Sequence, residues 1–184
     1  LDVKRKVLSW LLTFSLILGL WPTAALAADD VAALTEKTVS VSNWADLKAS
    51  VAALTDDEYL RADITAPLTA DSELDIDGKA VVLSATAGDI SITRTLQSEA
   101  NSTNPIFKLT NNASLSISGT ENGITLLDST ERKKSRGLIE ADSGTTLNLS
   151  NVSFRDFKFG YTLAGSGYGA IYAVNATIAM QNVA

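Results

Sequence analysis

Asp71, Glu73, Asp75 and Asp77 alternate along the chain, so an extended backbone places all four carboxylates on one face. Oxygen-only ligation of that kind suits Ca²⁺, a hard cation, and Ca²⁺ is the one cofactor the sequence brings into view. The same strip is also what the solvated face of a strand looks like on an acidic protein. Asp128, Glu131, Glu140, Asp142 and Asp156 offer carboxylate pairs of the sort glycoside hydrolysis uses, although sequence gives no distance between them. Glu131-Arg132-Lys133-Lys134-Ser135-Arg136 is a basic cluster that either meets an acidic glycan or phosphate or forms a solvated loop. Aromatic residues gather from Phe154 to Tyr172. Phe154 and Phe157 read as core, whereas Phe159, Tyr161 and Tyr168 flank a glycine-rich stretch and are candidate ligand contacts, able to stack on sugar rings.

Composition narrows the chemistry. The 184 residues include no His and no Cys, which excludes imidazole and thiol catalysis, zinc fingers and a disulfide framework. With 15 basic and 21 acidic residues the chain carries a net charge of −6, the wrong sign for the basic face of a nucleic-acid binder.

Residues 1–27 have the three-part layout of a signal peptide: Lys4, Arg5 and Lys6, then an apolar run from Val7 to Leu20, then the small-residue site Ala25-Leu26-Ala27. The run is shorter than the roughly 20 residues that span a bilayer. Export to the cell exterior or surface is the expectation, with no transmembrane helix in the mature chain. Loss of Lys4, Arg5, Lys6 and Asp2 leaves 12 basic and 20 acidic residues, a net charge of −8. Leu1 in place of Met suggests a bacterial alternative start codon or a clipped chain.

Residues 28–58 read as a lead-in strand, ending at Thr38–Val41, followed by one amphipathic helix over Asn43–Leu54. Ser42 or Asn43 supplies the N-cap, Asp46 sits at the positive end of the helix dipole, and Trp44, Leu47, Val51 and Leu54 form the apolar face. From residue 59 the period is two, in short pieces such as Leu74–Gly78, Val81–Ser84, Ile90–Ile92 and Ile106–Leu109. Residues 106–118, 138–150 and 170–182 repeat one pattern of strand, small polar turn and strand. Its apolar pairs Leu115/Ile117, Leu147/Leu149 and Ile178/Met180 lie 32 and then 31 residues apart. Leu83, 32 before Leu115, marks an earlier copy. A helix-free unit of this length predicts one coil of a parallel solenoid with apolar residues stacked inward, outward Ser, Thr and Asn in water, and the helix covering one end. Sequons at Asn101, Asn112, Asn148, Asn151 and Asn175 follow the repeat and read as turn and ladder residues.

The opening VSNWADLKASVAAL, the segment GTTLNLSNVSF (Gly144–Phe154) and the segment GYGAIYAVNATIAMQN (Gly167–Asn182) resemble the N-terminal part of a right-handed parallel β-helix of the pectate-lyase-like superfamily. They are similar to the repeats of polymorphic outer-membrane, autotransporter-type adhesins. Gly169-Ala170-Ile171 matches most of a GGAI element, and Phe154-Arg155-Asp156-Phe157 begins like an FxxN element but ends in Phe. The resemblance implies an all-β solenoid with a capping helix, truncated after residue 184. It also implies an adhesive or stalk role, without catalysis in this segment, toward extracellular polysaccharide or a cell-surface glycan. The same fold hosts polysaccharide lyases and glycoside hydrolases, so an enzyme with its active site in further coils is the alternative.

Overall fold

The computed structural model describes residues 34–86, 88–95, 104–120, 123–129, 137–156 and 169–184. The signal-peptide segment, the basic cluster 131–136, Phe157, Phe159, Tyr161, Tyr168 and Asn101 lie outside them.

Among the described residues one helix and thirteen strands follow one another: β1 (Thr35–Val41), α1 (Trp44–Ala52), β2 (Glu58–Ile64), β3 (Leu68–Ala70), β4 (Leu74–Asp77), β5 (Ala80–Ser84), β6 (Ile90–Arg94), β7 (Phe107–Thr110), β8 (Ser114–Ser118), β9 (Ile124–Asp128), β10 (Ile139–Ala141), β11 (Thr146–Arg155), β12 (Ile171–Ala173) and β13 (Thr177–Val183). Every pairing is parallel. The strands form a nine-stranded and a four-stranded sheet that curl into a half-barrel. The predicted all-β class, parallel pairing and single helix are therefore present.

Inward residues hold the sheets together. Leu115, Ile117, Leu147, Phe107, Leu109 and Ile139 are all fully buried in one continuous core. Alternation explains the choice, since β6 reads Ile90-Ser91-Ile92 with both isoleucines inside and the serine half-exposed. The repeat register is as read: Phe107 faces Ile139, Ile139 faces Ile171, Leu115 faces Leu147, and Leu147 faces Ile178.

The earlier copy is displaced. Leu83 stands opposite Ile117, not Leu115, and Val81 takes the place opposite Leu115. A shift of two residues keeps both side chains on the inner face, which is why the apolar pattern alone does not reveal it. The step changes at the turn between the four-stranded sheet and the next strand. Two residues, Gly78-Lys79, connect Asp77 to Ala80, whereas Asn111-Asn112-Ala113 connect Thr110 to Ser114. Asn111, Asn112 and Asn175 adopt φ of 52°, 62° and 51°, a left-handed corner that asparagine tolerates.

The stretch after β8 also holds regular structure. Residue 151, at φ 53°, bends β11 in mid-strand, so that residues 146–150 pair with β8 and residues 152–155 with β9. Gly119 and Gly123, which flank the step from β8 to β9, approach each other closely. A Cβ on Gly119 would lie 2.5 Å from Gly123 Cα, so no larger residue fits there.

Helix α1 starts one residue later and ends two earlier than its apolar periodicity predicts. Asn43 is the cap, accepting the Asp46 N–H at 2.9 Å and donating to the Asp46 carboxylate at 2.6 Å. Trp44, Leu47 and Val51 are buried, joined by Leu54 just past the helix end. Trp44 packs edge-on against Phe107 at 5.7 Å between ring centroids and donates to the Ser72 carbonyl at 2.8 Å. With no basic residue in its last turn, α1 takes its C-terminal charges from elsewhere: Lys37 donates to the Ala53 carbonyl, and Lys79 to those of Val51 and Leu54. The lead-in strand is longer than expected and belongs to the same sheet, paired with β2 along its whole length.

Candidate functional site

The acidic strip does not form one surface. Only Asp75 and Asp77 lie on β4, pointing outward, while Asp71 and Glu73 precede the strand in a turn. The alternation breaks because the chain is strand only from Leu74. Asp75 stands in register with Lys108, and Lys108 with Glu140, so unlike charges meet along the outer face. Asp77 accepts from Thr110 Oγ1 at 2.9 Å and Asn111 Nδ2 at 2.5 Å. Asp71 accepts from Ser72 Oγ, which in turn accepts from Lys48 at 2.8 Å. Among the described residues no three acidic groups are placed to hold a metal ion.

Of the hydrolase candidates, Asp128 is sealed inside. It is 1% exposed and pairs in two contacts with Arg94, which is 0% exposed, with Arg94 Nε donating to Oδ1 at 3.2 Å. Arg94 Nη1 also donates to the carbonyls of Asn104 at 3.1 Å and Gly137 at 3.3 Å. Both residues end strands at inward positions and face each other in register, so β6 and β9 carry a buried ion pair where the core pattern calls for apolar side chains. Sequence reasoning missed Arg94. The signal was available, since Arg94 shares the alternation of Ile90 and Ile92, and Asp128 that of Ile124 and Leu126. Glu140 lies half-buried on the outer face of β10, while Asp142 and Asp156 sit beyond strand ends. Phe154 packs against the core, as its strand position predicts.

The outward ladder beside the turn is not uniformly wet. Val82, Ser116 and Asn148 stand in register, and Ser116 is 0% and Asn148 7% exposed, against the expectation that outward polar residues face water. Asn148 Nδ2 donates to Ser116 Oγ at 3.4 Å.

At the start of that face, Glu36, Tyr59 and Arg61 converge. Tyr59 donates its hydroxyl to Glu36 Oε2, Arg61 Nε lies 3.1 Å from the same oxygen, and Thr38 donates to Oε1 at 3.0 Å. The Tyr59 hydrogen bond first, then that of Arg61, holds the Glu36 carboxyl below its ordinary value, and the same carboxylate raises Tyr59.

Beside it lies a groove of about 410 Å³. Its floor is the outward ladder Ala80, Ser114 and Thr146 together with the turn residues Gly78, Asn112 and Gly144. The wall is the segment after α1, with Thr55, Asp56 and Glu58. Gly144, at φ 82°, keeps the floor low, because a Cβ there would lie 2.4 Å from Asn112 Oδ1. Lys79 lines the groove but commits its ammonium to α1. The Thr55 N–H holds Glu58 low, and the Thr55 hydroxyl does the same for Asp57.

No protein-family model matches the chain, and no curated protein or solved structure matches it.

Proposed function

We propose that this is an exported, non-catalytic surface protein: a parallel β-helix, closed at one end by α1, that serves as an adhesive or stalk module once residues 1–27 are removed. The observation that carries the reading is the parallel register, in which strands 31 to 34 residues apart stack their inward apolar residues side by side. A stack of that kind presents long lateral surfaces to an extended ligand. The non-catalytic part is supported by the Arg94–Asp128 pair, which is sealed in the core, and by the commitment of the groove's lysine to the helix. The autotransporter-type adhesin resemblance supports the surface role.

The test is to incubate the full chain with neutral and acidic polysaccharides, following both retention and the release of new reducing or unsaturated ends. Retention without release is expected. Release abolished by one Asp, Glu or Arg substitution would establish the lyase or hydrolase alternative instead.

A further inference from the structure

We infer that the groove beside the turn is a saccharide site that takes an extended oligosaccharide carrying free amino groups, an assignment that rests on the adhesive reading above. Three properties of the groove lead there. It runs across β2, β5, β8 and β11, three inter-strand spacings or roughly 14 Å, so it accepts a chain lying along the stack rather than a compact ligand. Its floor presents the hydroxyl of Thr146 and the amide of Asn112. Its charge is net negative, because Asp56 and Glu58, the latter accepting from the Thr55 N–H, outnumber Lys79, whose ammonium is turned to the carbonyls of Val51 and Leu54.

A peptide of the same charge fits less well. Strands β5 and β8 are each paired on both sides, and β11 is paired with β8 along this edge, so the floor offers no free backbone edge for strand addition. What it offers is side-chain hydroxyl, amide and carboxylate, the partners of a polyhydroxylated, amine-bearing chain. Among the described lining residues there is no aromatic platform, so each contact is weak and affinity comes from many copies on a surface.

The experiment is calorimetric titration of the full chain with a glucosamine tetramer, with the N-acetylated tetramer and tri-lysine as controls. The expected result is saturable binding of the free-amine tetramer that weakens with salt. Asp56→Asn should weaken it about two- to fivefold, as for an exposed ion pair. Thr146→Trp, which fills the floor from an outward position, should abolish it, with the circular dichroism and melting of both variants checked against the parent. Equal binding of the N-acetylated tetramer, preference for tri-lysine, or indifference to both substitutions would overturn the assignment. Retention on some other glycan that ignores both substitutions overturns the groove and leaves adhesion standing. Cleavage of the tetramer overturns the non-catalytic reading while leaving the ligand class in place.

Discussion

Arg94 and Asp128 show how much one inward position can cost. Each leaves water completely, and the exchange is balanced only because the guanidinium meets both carboxylate oxygens and two carbonyls. Asp128→Leu or Arg94→Met alone should therefore lower stability by about 3–5 kcal/mol, and the double variant by clearly less, in denaturant unfolding. Additive losses would show that the two side chains act independently. Glu36 makes a different prediction. Its folded pKa lies below 4.5, so its contribution is complete above 4.5 and is lost as pH falls through the lower folded value. Asp57 and Glu58 are lowered too and act in the same direction. The melting temperature should decline below pH 4.5, with a shallower decline in Glu36→Gln; identical acid arms would remove Glu36 as a cause. Tyr59, raised above 10.0, contributes at the other extreme, its share being lost as pH rises through its folded value. The Glu36 contacts could not be read from the sequence, because Glu36, Tyr59 and Arg61 meet only through the β1–β2 register, and nothing local sets that register.

At the scale of elements, the chain tolerates change in the turns and not in the strands. The turn ahead of β8 has three residues and that ahead of β5 has two, Gly78-Lys79, yet both deliver the next strand with the same face inward. Deleting Asn112 should thus leave a folded protein with a two-residue turn. Deleting Ser116 should not, since the rest of β8 would turn its apolar face outward. Far-UV circular dichroism and melting distinguish the two, and equal damage would sink the argument. Leu147→Ala, in the middle of the stack, should cost about 2–5 kcal/mol in the same assay. The strands, the capping asparagine and the later copies were legible because alternation and repetition are local signals. The two-residue offset of β5, the bend at Asn151 and the pinch at Gly119 and Gly123 were not, because each compensates for something in a neighbouring strand. The groove escaped notice for the same reason: its floor comes from three strands, and its wall from a segment that ends near Glu58.

For the whole molecule, the helix distinguishes one end of the stack from the other. Trp44 binds α1 to the core through Phe107 and to the chain ahead of β4 through Ser72, so Trp44→Ala should cost about 3–5 kcal/mol. If α1 covers the free edge of β1, as the proposed cap would, the loss should be accompanied by increased association, measured by light scattering. Unchanged association would mean that the helix supplies packing and not protection. At the opposite end, Ile178 and Met180 occupy the register of Leu147 and Leu149 yet are 37% and 59% exposed. Among the described residues no helix is long and apolar enough to cross a membrane. Parallel pairing in register has one more effect. Each strand added to the stack advances it by about 4.8 Å at nearly constant cross-section. Reach is thereby counted in whole steps, so a repeat added beyond β13 would alter how far the stack extends while leaving α1 and the groove the same, much as links set the length of a chain.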